Sequence, residues 1–446
     1  MDSSRSDTPA APEAISPGEA LRFWWKLGWI SFGGPAGQIA IMHEELVTRR
    51  RWISEKRFLH ALNYCMVLPG PEAQQLATYI GWLLHGTRGG IAAGALFVLP
   101  SLFVLIALSW LYMAFGQQPL FAAALWGLKP AVVAIVLAAA WRIGRRALTS
   151  PSLWALAALS FTSAAILHIP FPAIVLGAGL AGFAGGRWWP RQFQGGAHRA
   201  SASALHAPAL IDDETPTPPH ARASRAGFVR HLLGGLLALV LALGALFLLP
   251  GHGGPLLDIA LFFSKAALLT FGGAYAVLPY VTQAAVSHYG WLTTRQMMDG
   301  LALGETTPGP LIIIVAFVGF LAAWPMAPAW AVAGACVATF FTFLPSFVFI
   351  LVGGPLVEAT HDELRLSAPL TAITAAVVGV ILGLALSFGT HVAWPAGPFT
   401  GAVDWPALTL AAAALFALVK LETGIIRLIA VCAAAGLALR WLPGLA

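Results

Sequence analysis

The chain has 446 residues, of which 58% are hydrophobic and only 10% are charged. Ordinary soluble domains carry about 25% charged residues, so the composition excludes a soluble protein. About 20 apolar residues cross a bilayer as a helix, and the apolar runs here lack the alternation of barrel strands. The sequence therefore predicts an all-α polytopic membrane protein. The runs without Asp, Glu, Lys or Arg are 89–115, 152–186, 232–251 and 366–403.

The net charge of +6 comes from basic residues that lie mostly in short loops. Of the 25 Lys and Arg, 19 fall within residues 1–230, where they follow the bias of cytoplasmic loops towards positive charge. This distribution predicts no nucleic-acid partner. The three cysteines, Cys65, Cys336 and Cys432, match no metal or redox spacing. We therefore expect neither a metal nor a cofactor.

The N-terminal residues 1–19 lack the apolar core of a signal peptide and predict a disordered cytoplasmic tail. An internal repeat follows. At a shift of 239 residues, Phe32-Gly33-Gly34 falls on Phe271-Gly272-Gly273, and Pro69-Gly70-Pro71 falls on Pro308-Gly309-Pro310. Two separated helix-breaking clusters at one shift indicate a duplication.

The repeat continues beyond the two breaks. After an insertion of six residues, Leu99-Pro100-Ser101 falls on Leu344-Pro345-Ser346. The sequence therefore predicts a first repeat at 20–186 and a second repeat at 255–442.

The segment 187–230 separates the two repeats. It is rich in Ala, Ser, Pro, His and Arg, so we expect a solvated, disordered cytoplasmic linker with no apolar residues to bury. A linking transmembrane helix at 231–251 then leads into the second repeat. A single span between two copies turns the second copy upside down, which predicts an inverted-topology repeat.

The motif Pro69-Gly70-Pro71 interrupts the apolar segment 58–87, and a continuous helix does not pass through two prolines. Either a broken spanning helix or a re-entrant hairpin fits this pattern. Five basic residues lie within 49–57, and Arg88 follows the segment. Hairpins would keep all of these charges in the cytoplasm, as the charge bias prefers, so we favour re-entrant hairpins.

Unwound backbone in a membrane is tolerated only where it is buried in protein or lines a wet cavity. A half-helix N-terminus offers unpaired N–H donors and the positive end of the helix dipole, which suit a tetrahedral oxyanion. We expect the Gln and Thr side chains beside the breaks to add neutral donors. A kink that only aids packing is the alternative for any single motif. The predicted substrate-binding residues are Gly33, Gly34, Pro69, Gly70, Pro71, Gln74, Gln75, Gly272, Gly273, Thr306, Thr307, Pro308, Gly309 and Pro310.

The sequence around the breaks resembles a known family. FGG at 32–34 and LPGPEAQQLATYIGW at 68–82 resemble the first half of the chromate ion transporter family. LTFGGAYAVLPYV at 269–281 and GLALGETTPGP at 300–310 resemble its second half. The resemblance implies a long-chain, two-domain chromate transporter of the bacterial inner membrane that confers resistance by efflux. It also implies sulfate as a structural analogue of the cargo.

Charged residues in apolar surroundings are costly and usually functional. Glu72 follows one Pro-Gly-Pro motif and Glu305 precedes the other, so the two are not equivalent under the repeat. They are candidates for a proton-coupling pair or for carboxylates that organise the breaks. For Glu72, an acid favoured by the helix dipole alone is the alternative. Lys129, alone in an uncharged span, either attracts the dianion or forms an ion pair with Glu72 or Glu305.

Two other functions fit parts of the pattern. The first is the same transporter with sulfate, molybdate or a small organic anion as cargo. The second is a membrane enzyme acting on a lipid pyrophosphate, which would need clustered acids, arginine and a nucleophile or base. The breaks carry one carboxylate each and no arginine, so we expect no catalytic residues. The expected partners are chromate and the lipid bilayer, and a homodimer is compatible with the sequence.

Overall fold

Inside a membrane the backbone must satisfy its own hydrogen bonds, and a helix does so locally. The structure of the chain is a computed structural model. Among the residues that it describes, pairing between extended segments is limited to one isolated bridge, from Ile53 to Ile211, so the prediction of an all-α protein is confirmed. The described residues are 14–32, 34–193, 208–213, 215–249, 253–359, 367–397 and 399–441.

The helices are numbered in chain order over these residues. Their bounds are α1 Pro17–Ile30, α2 Gly34–His43, α3 Glu55–Val67, α4 Glu72–Phe115, α5 Pro119–Ala147, α6 Pro151–Ala165, α7 Phe171–Trp188, α8 Pro190–Phe193, α9 Arg225–Phe247, α10 Gly253–Leu268, α11 Ala274–Thr282, α12 Thr294–Thr306, α13 Ile314–Ala323, α14 Pro328–Ala359, α15 Ser367–Ala393, α16 Trp405–Lys420 and α17 Ile425–Trp441. Short 3-10 turns occupy Pro219–Ala221 and Leu311–Ile313. Helix α4 bends sharply at His85 and Gly86, where the backbone leaves the helical conformation.

The sequence repeat is matched by a repeat of local structure. Helices α2 and α11 each continue into a π-helical segment, and the two segments begin at Glu44 and Gln283, 239 residues apart. Ser54 caps the N-terminus of α3, and Thr293 caps α12 in the equivalent position. Each cap accepts a first-turn backbone N–H at 3.2 Å. A Pro-Gly-Pro motif then follows both α3 and α12.

A long helix of each half packs among the helices of the other half, and we refer to this arrangement as the exchange of long helices. Helix α5 packs against α16 and α17, whereas α15 packs against α6 and α7. Glycine permits these close approaches, because a β-carbon on Gly127 would overlap the carbonyl oxygen of Cys432, and one on Gly379 would overlap that of Ala157. Helices in lipid associate through such packing of small residues. Each half therefore buries the long helix of the other.

Five helices are long and apolar enough to cross a membrane, counted over the described residues. Helix α9 is the least buried of them, with only 6% of its apolar stretch inside the protein, so its leucines fit a lipid surface. It packs on α10 and α14. The chain is a multi-pass membrane protein. The five stretches are Glu72–Phe115, Pro119–Ala147, Arg225–Phe247, Pro328–Ala359 and Ala368–Ala393.

Two predicted boundaries shift in the structure. The linking helix α9 begins at Arg225 rather than at residue 231, because Ser224 caps its first turn. Helix α1 begins at Pro17, so the last three residues of the predicted tail are helical. Residues 1–13 of that tail lie outside the described part of the chain.

The linker is partly folded, which corrects the sequence prediction. Ser54 N donates to Ile211 O at 3.0 Å, and Ser54 Oγ donates to Asp213 Oδ1 at 2.6 Å. Ile211 and Ala221 are buried. The expectation of a linker with no apolar residues to bury is therefore wrong for its described residues. Residues 194–207 and 214 lie outside the described part of the chain.

One segment consists of α3 and the part of α4 that precedes its bend at His85 and Gly86. Both ends of this segment contact the linker. At the start, Arg57 Nη2 donates to Thr215 O at 2.5 Å. At the end, His220 Nε2 donates to Trp82 O at 2.8 Å. The chain thus leaves and returns to one surface. We call this surface, which carries residues 208–213 and 215–224, the linker face, and we call the surface at the C-terminal end of α4 the opposite face.

We expect Lys56 and Arg88 to be reached from the same side of the membrane, because they border the two ends of this segment. Single cysteines replace each residue in a chain whose three native cysteines are alanine. An impermeant maleimide should label both in everted vesicles and neither in intact cells. Gln117→Cys, at the opposite face, is the control and should show the reverse pattern. Labelling of Lys56→Cys and Arg88→Cys from different sides would mean a full span in place of a hairpin.

Candidate functional site

The two Pro-Gly-Pro tips reach across to the opposite half. Gly70 N donates to Thr270 O at 2.8 Å, and Gly309 N donates to Ser31 O at 2.7 Å. The two bonds are equivalent under the shift of 239 residues. Each one joins a Pro-Gly-Pro tip to the residue two places before the Gly-Gly pair of the other half. The flanking prolines are Pro69, Pro71, Pro308 and Pro310, of which Pro71 and Pro310 directly precede α4 and the turn Leu311–Ile313.

The glycines of the tips are required by both conformation and space. Their φ angles are +127° at Gly70 and +91° at Gly309, a region that side chains with a β-carbon rarely adopt. A β-carbon on Gly70 would lie 2.6 Å from Gln75 Nε2, and one on Gly309 would lie 2.9 Å from the β-carbon of Ser101. The hydroxyl of Ser346, which the repeat relates to Ser101, closes the space at Gly70.

The Gly-Gly site of the first half is open. Gly34 begins α2 with a φ of +71°, and a β-carbon built on it meets nothing within 4 Å. Ser31 is fully buried, and its hydroxyl has no hydrogen-bond partner in the described part of the chain. Gln38, one turn into α2 and 1% exposed, donates Nε2 to Gly309 O. The remaining predicted residue, Gly33, lies outside the described residues.

The Gly-Gly site of the second half is lined by carboxylates. Gly272 and Gly273 have φ angles of +80° and +92°. Oε1 of Glu72 lies 3.6 Å from the place of a β-carbon on Gly273. Two residues further on, Tyr275 OH donates to Glu305 Oε1 at 2.7 Å, and Glu305 is 8% exposed. Acids from both halves therefore lie against the start of α11.

The Gln and Thr side chains that we expected to donate to an anion are engaged within the protein. Gln75 Nε2 donates to Pro69 O at 2.8 Å, and Gln74 Nε2 donates to a threonine hydroxyl one turn on at 2.9 Å. Thr306 and Thr307 donate their hydroxyls to the backbone of their own helix. In this conformation each of the four side chains donates at least one hydrogen bond within the protein and supports the shape of the tips.

Lys129 pairs with an acid that the sequence interpretation overlooked. Its Nζ lies 3.9 Å from Oδ1 of Asp299 in α12. Of the two alternatives predicted for Lys129, the ion pair with Glu72 or Glu305 is therefore not the one observed. Asp299 is buried, and its second oxygen accepts a hydrogen bond from Tyr112 OH at 3.0 Å. Exchange of the long helices between the halves brings α5 beside α12 and so creates this contact.

A second ion pair lies at the linker face. Arg57 Nη1 lies 3.5 Å from Glu358 Oε2, with side chains 15% and 8% exposed. Tyr79 OH donates to the other oxygen of Glu358 at 2.5 Å. The sequence interpretation treated Arg57 only as a topology signal. Arg57 lies three residues after the cap Ser54, within the first turn of α3. This position was the only sequence feature from which an inward-pointing side chain could have been predicted.

The other overlooked residues carried weak signals. Gln38 is the only polar side chain among residues 34–42, and a lone amide on an apolar helix is costly to bury without a partner. Asp299 precedes Glu305 by six residues on one helix and stands directly before the motif 300–310 used for the family resemblance. Neither signal names the partner, because both partners come from the other half of the chain.

These features, namely several spans, broken helices joined at unwound tips and buried charged groups, define a multi-pass membrane transport protein. The chromate transporter family matches residues 18–183 and 257–437. The chain belongs to this family.

Several curated relatives cover most of the chain. A chromate transport protein of Pseudomonas aeruginosa is 36% identical over 84% of this chain and 81% of its own length. A chromate transport protein of Cupriavidus metallidurans is 28% identical over 84% of this chain and 85% of its own length. A probable chromate transport protein of Synechococcus elongatus is also 28% identical. No solved structure matches the chain. As expected, the chain is a transporter and not an enzyme.

We expect Gly70→Ala and Gly309→Ala each to abolish chromate resistance while the protein still inserts into the membrane. Strain of about 1–3 kcal/mol at such a residue shifts the equilibrium away from the native tip by roughly five- to 150-fold. Gly244→Ala is the control, because a β-carbon there meets nothing within 4 Å. Growth on chromate and the amount of protein in the membrane are measured together. Full resistance in either tip variant would show that the tip conformation is dispensable.

Proposed function

We propose that the chain exports chromate across the inner membrane of a bacterial cell and thereby confers resistance. The support is the extent of the similarity, since the relatives named for chromate transport align over both halves and the linking region lies between the aligned parts. The observation that carries the proposal is the reciprocal pair of hydrogen bonds between the tips and the opposite halves. A site held by both halves can change when one half moves against the other.

The proposal includes an inverted repeat with re-entrant hairpins, one repeat at 20–186 and the other at 255–442. The first hairpin starts and ends beside the linker, as the contacts of Arg57 and Trp82 indicate. The second, formed by α12 and α13, starts with Arg295, which shares a cavity wall with Gln118 at the opposite face. The single helix α9 between the halves supports the same arrangement.

The oxyanion binds at half-helix termini between the repeats, and the first-half Gly-Gly site is favoured. An anion gains from the free N–H groups and the dipole at the start of α2, and the unpaired hydroxyl of Ser31 adds a donor. At the start of α11 the carboxylate of Glu72 already lies beside Gly273. The repeat places Leu311 where a matching acid for the first site would stand.

The membrane potential suffices as the driving force. Moving one charge through 100 mV is worth about 2.3 kcal/mol, so expelling a dianion gains roughly 4.6 kcal/mol. This sustains a concentration ratio on the order of a thousandfold. No proton is required by these energetics. The hydrogen bond from Tyr275 to Glu305 supports a role for Glu305 in shaping the site rather than in carrying a proton.

We expect Ser31→Ala to raise the half-saturating chromate concentration about tenfold, because hydrogen bonds to charged groups contribute about 1.5–3 kcal/mol. Ser264→Ala is the matched control, since that hydroxyl donates to a carbonyl of its own helix at 2.8 Å. Uptake of radiolabelled chromate by everted vesicles is measured against concentration. Equal values for Ser31→Ala and the control would remove the oxyanion from this site. Excess sulfate or molybdate in the same assay identifies the preferred dianion.

The driving force is tested in the same vesicles, whose lumen corresponds to the periplasm. Respiration makes the lumen positive and should draw chromate in. With the potential clamped to zero by potassium and valinomycin, a pH gradient alone should move little. Glu305→Gln should show the same dependence on potential, at whatever rate it retains. Robust uptake under the clamp that is lost in Glu305→Gln would make Glu305 a proton carrier instead.

A further inference from the structure

A cavity of about 820 Å³ opens at the opposite face, away from the Pro-Gly-Pro tips and the Gly-Gly sites. Its wall comes from both halves, because α5 of the first half meets α12, α16 and α17 of the second half there. Gln118 and Pro119 lie at its edge. The volume far exceeds that of a single tetrahedral oxyanion, so hydrated ions can enter. We call this cavity the vestibule.

The vestibule is basic. Lys129, Arg295 and Arg440 line it, and Asp404 is the one carboxylate in the lining, so the formal charge of the wall is +2 with His391 neutral. Asp299, behind Lys129, reduces the local balance to +1. A cleft with one sign of charge and low-dielectric walls concentrates ions of the other sign.

Asp404, the one carboxylate of the lining, is engaged in hydrogen bonds, and among the lining cations Arg295 donates Nη2 to Pro395 O. Asp404 accepts the indole N–H of Trp126 at 2.9 Å and caps α16 through Ala407 N at 3.0 Å. Arg440 lies over the Trp126 ring, 5.3 Å from its centroid, and lines the cavity. The ring thus positions one cation and one anion at the wall.

Lys129 is the cation that α5 contributes to the lining, ten residues after Pro119. Its ammonium is 3.9 Å from Asp299 Oδ1, which is beyond hydrogen-bond distance. Asp299 Oδ1 has no hydrogen-bond partner in the described part of the chain. The pair is therefore loose, and the Lys129 ammonium, which makes no hydrogen bond to the described residues, lines the cavity.

We infer that the vestibule is a second oxyanion site, distinct from the break motifs, in which Lys129 binds the dianion between the centre of the protein and the opposite face. Arg295 and Arg440 hold the anion nearer the mouth. The inference rests on the proposed transport of a tetrahedral dianion. Binding moves the ammonium from Asp299 to the anion, so that one cation serves both partners in turn.

The test uses Ala122→Cys, an exposed position in the vestibule wall, in a chain whose native cysteines are alanine. Anionic sulfonatoethyl methanethiosulfonate should label it roughly tenfold faster than the cationic trimethylammonioethyl reagent, corrected for their rates with a free thiol. Ser287→Cys, exposed but outside the vestibule, is the control and should show a ratio near one. Replacing Lys129, Arg295 and Arg440 together by Gln should remove the preference at Ala122→Cys.

Sulfate, which does not oxidise thiols, is the binding probe at constant ionic strength. It should slow labelling of Ala122→Cys, with a weaker effect in Lys129→Gln and a retained effect in Lys129→Arg. Equal rates for the two reagents, or protection that is unchanged in Lys129→Gln, would overturn the inference. So would protection that appears only in nanodiscs of anionic lipid, because it would mark a site for lipid phosphate.

The labelling and the transport assays can fail separately. A charge preference and sulfate protection without chromate uptake in vesicles would retain the vestibule as an oxyanion site and refute chromate export. Chromate uptake without either labelling effect would retain export and refute the vestibule. Size-exclusion profiles of the purified variants confirm that each is folded before its labelling rate is used.

Discussion

The hydrogen bond between a Pro-Gly-Pro tip and the opposite half is the constraint on which the rest of the structure depends. An unpaired backbone group in a membrane costs several kcal/mol, and each tip is necessarily unwound. Gly70 N and Gly309 N find their acceptors at Thr270 and Ser31. Each half therefore completes the backbone of the other, and neither tip has its observed hydrogen bonds without a partner. The exchange of long helices has the same effect on side-chain packing, because each half also supplies the packing surface for a long helix of the other.

The repeat preserves the backbone and varies the side chains. Gln38 reaches Gly309 in the first half, while the equivalent position in the second half is the buried Val277. Glu72 lies beside Gly273, while its own equivalent is Leu311. The Gly-Gly site of the second half thus has acids beside it, whereas the Gly-Gly site of the first half has a hydroxyl with no hydrogen-bond partner in the described part of the chain. Two similar halves therefore present different chemical surroundings at two equivalent backbone positions.

Much of the scaffold could be predicted from the sequence because helix breaks are local. Proline and glycine impose the unwound tips without help from distant residues, and the shift between Gly70 and Gly309 identifies them as equivalents. The partners could not be predicted in the same way. Lys129 meets Asp299 only because α5 is exchanged between the halves. The linker prediction failed for another reason: Ile211 ends a short apolar stretch and Ala221 stands alone, and both are too few to change the polar average composition of the segment.

The exchange of long helices also has a consequence for biosynthesis. Helix α5 ends at Ala147, but α16 and α17, against which it packs, are completed only at Trp441. At about 5–20 residues per second, roughly 15–60 s pass between the emergence of α5 and that of its partners. For about the first half of this interval Lys129 lies in a bilayer without Asp299, and until its end lipid or an insertion factor covers the face of Gly127. The first half is therefore inserted before its packing partners exist. The helix of that half that most needs the insertion machinery is α5, because it carries a charge.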